Sequence, residues 1–263
     1  MVNTISFPKL NIGPFNICET ITLFGLNIHF YGLIIGIGIV VAYFFAMKTC
    51  RKHDLSQDNI TDILLYGLPS AIVCARLYYV LFELEQFSSI WDVFKIWNGG
   101  IAIYGAVIGA VVSTYVYCKI KKINPFKAFD IGALGLLIGQ IFGRWGNFVN
   151  AEAFGAPTNL PWGMQIQKIS TEIAFHPTFL YESLWNLGVF IILFLRRDKR
   201  AFDGELFFGY ITLYGLGRFW IEGLRMDSLY LGPVRISQLV AAVCVIIGTV
   251  VIVLKRRQIK KSK

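Results

Sequence analysis

Seven apolar stretches, separated by connections that differ sharply in Lys and Arg content, dominate this chain. They run over residues 31–47, 60–82, 99–118, 130–149, 178–195, 206–221 and 237–254. A helix that crosses the hydrocarbon core of a bilayer needs about 20 mostly apolar residues, and these stretches are of that order. The fourth opens on Asp130 and is rich in glycine, and the sixth is short, so the count needs an independent check. Lys and Arg supply it, because cytoplasmic loops carry their excess. Lys48, Arg51 and Lys52 follow the first stretch, and Lys119, Lys121, Lys122 and Lys127 follow the third. Arg196, Arg197, Lys199 and Arg200 follow the fifth, and Lys255, Arg256, Arg257, Lys260, Lys261 and Lys263 follow the seventh. Together these are 17 of the 25 basic residues, all on one side. The opposite connections are poorer; the first holds Glu83, Glu85, Asp92 and a single Lys95. A missed span would break this alternation. The expected fold is an all-α integral membrane protein of about seven transmembrane helices, with the N-terminus outside and the C-terminus cytoplasmic.

Composition excludes the main soluble classes. Of the 263 residues, 56% are hydrophobic and 16% charged, against about 25% charged in soluble domains. The five cysteines and three histidines are scattered and none has metal-ligand spacing, so neither a zinc site nor a disulfide framework is expected. The net charge of +9 is distributed over separate loops rather than gathered on one face, which argues against nucleic acid. The first 30 residues hold only Lys9 before the apolar run and no small-residue cleavage site. They read as an external segment, not a signal peptide. One polytopic membrane domain over 1–263 is expected, with a small extracytoplasmic cap around 151–175.

Charge inside a membrane span costs at least about 2.5–3.5 kcal/mol on insertion scales and usually serves a purpose. With the orientation assigned, the polar residues of the spans fall in one outer layer. Tyr31 opens the first span, Arg76 lies in the outer half of the second, and Tyr104 sits about one turn inside the third. Arg144 and Asn147 close the fourth, with Glu152 just beyond; His176 opens the fifth and Glu182 follows within two turns. Tyr214, Arg218 and Glu222 repeat every four residues in the sixth, and so share a helix face, as do Gln140, Arg144 and Asn147. Two arginines from different spans make a clamp suited to a phosphate, since guanidinium offers planar paired donors and stays charged in a low dielectric. Each residue also has a structural reading. Arg144 could be a snorkelling anchor, Arg218 with Glu222 an internal ion pair, Arg76 a structural brace, and Tyr31 an ordinary interfacial tyrosine. His176 could bond within its loop, and Glu182 could brace an arginine from another span. Gly105 and Gly109 suit close helix packing. Convergence in depth, not any single residue, carries the functional reading.

At residues 143–155 the chain reads GRWGNFVNAEAFG. This closely resembles the signature of the prolipoprotein diacylglyceryl transferase family, G-R-x-G-N-F-x-N-x-E-x-x-G, at every fixed position. IHFYGL (28–33), CARLYYV (74–80), NGGIAIYGAVIG (98–109), HPTFLYE (176–182), YGLGRFWIEGLR (214–225) and GPVRISQLV (232–240) resemble further family motifs in the same order. The similarity covers nearly the whole chain, and the family's seven-span, N-outside architecture agrees with the charge pattern. Two positions depart from it: Tyr104 stands where many members carry His, and Phe179 where the pattern has Gln. Phe179 is therefore expected to carry no essential hydrogen bond.

The resemblance implies a bacterial plasma-membrane enzyme. It would transfer an sn-1,2-diacylglyceryl group from phosphatidylglycerol to the lipobox cysteine of a prolipoprotein signal peptide, forming a thioether and releasing glycerol phosphate. It implies no metal or cofactor. Arg144 and Arg218 would stabilise the leaving phosphate, with Asn147 as an added donor. Tyr31, Arg76, Glu152, Tyr214 and Glu182 would line the substrate. Glu222, Glu152, Glu182 and an activated Tyr104 are candidates for the base that takes the thiol proton. An ordinary tyrosine, near 10, is a poor base at neutral pH, so Tyr104 is expected to donate a hydrogen bond or position substrate. Three rivals fit less well. A transporter would place its polar residues near the midplane between repeats. An intramembrane serine protease needs its Ser and His at one depth, whereas Ser70 and His176 differ. A structural scaffold leaves the convergent arginines unexplained.

Overall fold

The computed structural model describes residues 2–23, 26–87, 89–96 and 99–262. Asn98 of the glycine-rich motif and Lys263 of the basic tail lie outside them. Among the described residues, seven long helices make up most of the chain: α1 (Phe30–Thr49), α2 (Gln57–Phe82), α3 (Ile103–Ile120), α4 (Pro125–Val149), α5 (Thr178–Arg196), α6 (Glu205–Glu222) and α7 (Ile236–Lys261). All except α6 are long and apolar enough to cross a membrane. The α6 helix has 18 residues, and Glu205, Arg218 and Glu222 lower its apolar character. Outward-facing Leu33, Ile37, Val40 and Phe44 on α1, and Val243, Ile246 and Val250 on α7, are exposed. Surfaces so uniformly apolar match lipid, not water.

Local signals set the helix ends. The Ser56 hydroxyl accepts the Asn59 amide at 3.1 Å while Asn59 accepts the Ser56 amide at 3.0 Å, and this reciprocal cap starts α2. The α4 helix begins five residues before Asp130, at Pro125. Proline suits a first helical position because its missing N–H would be unpaired there anyway, and the Asn124 side chain accepts from the Phe126 amide at 3.1 Å. The α3 helix begins at Ile103 rather than at Gly99, since Gly99 and Gly100 have φ of +85° and +76°. Those values suit glycine and end regular helix geometry.

The expectation of an all-α chain omitted a small antiparallel sheet. Strands β1 (Val2–Phe7), β2 (Ile12–Cys18), β5 (Met164–Ile166) and β6 (Ala174–Phe175) form it in the order β2-β1-β5-β6. Between β2 and α1, β3 (Thr20–Leu23) and β4 (Leu26–His29) make a hairpin; β7 (Tyr230–Leu231) and β8 (Val234–Arg235) make another before α7. Thus the N-terminal segment and the 151–175 connection build one structure. Ile5 pairs with Ile166, and both are fully buried together with Met164 against Ala151 and Phe179. The Asn3 amide donates to the Val149 carbonyl at 2.9 Å, tying β1 to the end of α4.

The chain divides into two compact units. The first holds residues 1–45 and 132–263. In it Ala133, Leu134 and Leu137 of α4 pack with Val189 and Leu193 of α5 and with Leu206 and Tyr210 of α6. The second unit, residues 46–131, is organised by α2 and α3. Gly105 and Gly109 bring α3 against α2 so closely that an added Cβ would strike backbone at Cys74 and Ser70. This is the close approach that small residues four apart permit.

Gly109→Val should overpack that contact at about 1–3 kcal/mol, lowering Tm in detergent by several degrees. At Gly132, where a Cβ would meet nothing within 4 Å, Ala should leave Tm nearly unchanged. Equal Tm values for the two variants would contradict the packing described.

Candidate active site

Three helices of the first unit carry four charged side chains that meet, and the residues just past α6 add a fifth. The Arg144 guanidinium on α4 donates through Nη1 to Asn147 Oδ1, one turn on, at 3.0 Å. Its Nη2 lies 2.5 Å from Glu182 Oε2 on α5. Glu182 Oε1 accepts from Arg218 Nη1 on α6 at 2.8 Å, and Arg218 Nη2 sits 2.5 Å from Glu222 Oε2, four residues along the same helix. Arg225, just past α6, approaches Glu182 Oε1 at 3.7 Å. One carboxylate therefore stands among three guanidiniums drawn from two segments of chain.

Burial explains why these carboxylates need the arginines beside them. Glu182 and Glu222 are 3% and 1% exposed, and a buried charge is tolerated only when paired and hydrogen-bonded. The arginines cover them while keeping 20%, 18% and 12% of the side chains of Arg144, Arg218 and Arg225 open. The three guanidiniums outnumber the two buried carboxylates, and Asp227 supplies the third negative charge, so the paired array is close to neutral while its cations stay partly open. Asp227 at the rim takes Arg225 through two contacts of 2.9 and 2.7 Å, and this pairing holds the Asp227 carboxyl below its ordinary value.

Packing fixes the array. Trp185, three residues after Glu182, donates its indole N–H to the Leu213 carbonyl at 2.9 Å. Its ring covers Gly217, where an added Cβ would collide with it. The α5 and α6 helices are thereby held close just before Arg218, within reach of Glu182. Behind Arg144, Gln140 donates to the Tyr210 hydroxyl at 2.8 Å, and Tyr210 stacks on Tyr214 with ring centroids 5.4 Å apart. The charged neighbours of Tyr214 are Arg144, Glu182 and Arg218. A Cβ on Gly146, in the 143–155 motif, would lie 2.6 Å from the Tyr31 ring; the motif's glycine makes room for that ring.

Beyond α4 the array continues outward. Asn147 donates to Glu152 Oε1 at 2.9 Å and Asn150 to the same oxygen at 3.3 Å. Unlike Glu182 and Glu222, Glu152 is exposed. The next residues tie three elements together: the Gly155 amide donates to the His176 carbonyl at 2.9 Å and the Ala156 amide to the Leu224 carbonyl at 2.7 Å. The motif thus links the start of α5 to the segment carrying Arg225. His176 Nδ1 lies 3.2 Å from the Tyr181 hydroxyl, a contact within its own segment, and burial pushes its imidazole below the ordinary value. Phe179 packs on Phe148 and Trp145, with centroids 4.7 and 5.5 Å away, so this position makes an apolar contact.

Tyr104 and Arg76 belong to the second unit. Tyr104 lies in the first turn of α3, is 39% exposed, and faces Tyr78 with centroids 6.3 Å apart. Arg76 is buried and directs its N–H groups at loop carbonyls: Val93 at 2.8 Å, Gly99 at 2.6 Å, Gly100 at 2.7 Å and Asp92 at 2.6 Å. Its guanidinium also lies 5.0 Å from the Phe87 ring. Arg76 organises the loop that precedes α3.

Of the residues singled out from sequence, Tyr31, Arg144, Asn147, Glu152, Glu182, Tyr214, Arg218 and Glu222 gather in the first unit. Arg225 was missed. Its spacing, three residues beyond Glu222 and seven beyond Arg218, continues their helix face and could have revealed it. Glu182, with a bracing role open to it from sequence, is the residue on which three arginines meet.

The family profile described as prolipoprotein diacylglyceryl transferase matches residues 19–254. A Finegoldia magna protein named phosphatidylglycerol–prolipoprotein diacylglyceryl transferase is 43% identical over 243 residues, covering 92% of this chain and 96% of its own. Proteins with the same name from Clostridioides difficile and Thermotoga maritima are 42% and 43% identical. Those alignments cover 87% and 85% of this chain, and 91% and 80% of the relatives. With a match of this length, and with the motif residues meeting in one buried array, the chain belongs to the prolipoprotein diacylglyceryl transferase family.

Proposed function

We propose that this chain transfers the diacylglyceryl group of phosphatidylglycerol to the lipobox cysteine of a prolipoprotein signal peptide, the first step of lipoprotein maturation. The family membership and the names of the relatives support the reaction. The observation that carries the residue assignment is the sharing of buried Glu182 by Arg144 and Arg218. The chain acts as one polytopic domain of the bacterial plasma membrane. It has seven spans including α6, an outer N-terminus and a cytoplasmic C-terminus, a reading supported by the alternation of basic connections.

In the reaction the cysteine sulfur attacks the glyceryl carbon that bears the phosphate. The S–C bond forms as the C–O bond breaks, the oxygen leaves with glycerol phosphate, and the thiol proton passes to a base. The phosphate changes from a monoanionic diester to a monoester bearing further negative charge. Cations already in place stabilise that change without reorganising. Arg144 and Arg218 meet the phosphate through the N–H groups that Glu182, Glu222 and Asn147 do not take, with Asn147 as a further donor. Glu182 and Glu222 hold these arginines. Their oxygens already face guanidiniums at 2.5–2.8 Å, so accepting the thiol proton would break an ion pair. Glu152 is the carboxylate with room for a proton, and Asn147 couples it to Arg144. Tyr31 and Tyr214 border the headgroup, Tyr104 positions substrate by donating a hydrogen bond, and Arg76 acts by shaping the loop before α3.

Purified protein with phosphatidylglycerol and a lipobox peptide should yield a thioether-linked product by mass spectrometry. Arg144→Ala and Arg218→Ala should each reduce kcat by at least about 100- to 1,000-fold, the usual effect of losing a preorganised donor. Full activity in either would remove the clamp. In Glu152→Gln, kcat should fall and rise with pH where the wild type is flat; parallel pH profiles would exclude Glu152 as the base.

A further inference from the structure

The opposite end of the first unit holds a second place suited to a lipid. A groove of about 720 Å³ opens between the C-terminal end of α5, the start of α6 and the last turns of α7. Four cations line it: Arg196, Lys199, Arg200 and Arg256. Glu205 is the one acidic residue in its wall, and it is committed, accepting Arg256 Nε at 2.7 Å and the Ala201 amide at 2.5 Å. Arg200 Nε lies 3.9 Å from Asp203. Arg196 and Lys199 are exposed and form no ion pair with the described residues. The charge at the mouth therefore stays well positive even after these pairings.

The rest of the wall is apolar. Leu195 is 67% exposed, Ile192 is 48% exposed, and Leu213 and Ile252 continue the surface. Gly209 leaves α6 thin at this point, its missing Cβ facing the Leu193 side chain. A cationic mouth above an apolar channel open toward the bilayer matches one kind of occupant, an amphiphile with an anionic head and a hydrocarbon tail. Glu182 precedes Arg196 by 14 residues of one helix, about 21 Å at 1.5 Å per residue. The groove is thus separate from the Arg144–Arg218 array.

We propose that this groove binds an anionic phospholipid of the leaflet bordering the basic loops, with Arg196 and Lys199 on the phosphate and an acyl chain along Leu195, Leu213 and Ile252. Guanidinium suits phosphate oxygens by its paired donors, and basic pockets between helices on the cytoplasmic side recognise such headgroups. This lipid is a resident ligand, distinct from the substrate, and holds the ends of α5, α6 and α7 together.

The test uses the full chain in phosphatidylcholine nanodiscs doped with a phosphatidic acid that carries a photoactivatable group in its acyl chain. After irradiation, peptide mapping by mass spectrometry should place adducts around Leu195, Leu213 and Ile252. Arg196→Gln with Lys199→Gln should reduce their yield roughly 10- to 30-fold, as loss of two surface cations near a membrane implies. Arg196→Lys with Lys199→Arg should restore it. Equal labelling by a neutral phosphatidylcholine probe, or labelling unchanged in the Gln pair, would overturn the proposal. Thioether formation, assayed in the same preparations with excess phosphatidylglycerol, reports the transferase separately.

Discussion

The buried Glu182 carboxylate is the point on which the first unit's functional layer depends. Three guanidiniums crowded into a low-dielectric region repel one another, and each loses hydration. A carboxylate among them turns that repulsion into a fixed geometry, with α4 and α6 held to α5 through Arg144 and Arg218. Removing one partner of a buried pair typically costs about 3–5 kcal/mol, because the other charge is left uncompensated. That sensitivity is the counterpart of preorganisation: the arginines are held in place before any substrate arrives.

Such an arrangement suits a reaction whose leaving group gains negative charge. Arg218 gives its two terminal nitrogens to Glu182 and Glu222, and Arg144 gives its two to Asn147 and Glu182; a guanidinium carries five N–H donors, and those left over are available to a phosphate. With Asp227 taking Arg225, the array is close to neutral when empty, and the partly open guanidiniums still offer N–H donors to an anionic headgroup. The motif glycines serve the same geometry through contact: Gly146 makes room for Tyr31, and Gly217 admits the Trp185 indole beside Arg218.

The helices were legible because hydropathy and basic loops are properties of contiguous sequence. Six of the seven apolar stretches correspond to helices able to cross a membrane, and the remaining one to the 18-residue α6. Their ends were less legible, since Pro125 and the Gly99–Gly100 turn act through backbone geometry that hydropathy does not record. The sheet was missed for a different reason. β5 and β6 have three and two residues, too few to show alternation, and β1 pairs with β5 across some 160 positions of chain. In the functional layer, residue types and helix faces could be read from i, i+3 and i, i+4 spacing, which assembled Arg144 with Asn147 and Arg218 with Glu222. That Glu182 could brace an arginine from another span was legible, but which arginines it joins was not, because that depends on the rotation of α5 between α4 and α6. Arg225 lies three residues past the end of α6, so only the face of Arg218 and Glu222 extrapolated beyond the helix points to it.

A double-mutant cycle between Glu182→Gln and Arg218→Gln, read in kcat/KM for thioether formation, tests the central claim most directly. If Glu182 acts by holding Arg218 on the phosphate, the second substitution should cost little once the first is made, giving a coupling of about 0.5–3 kcal/mol. Strictly additive losses would show that the two residues act independently, and would contradict the account.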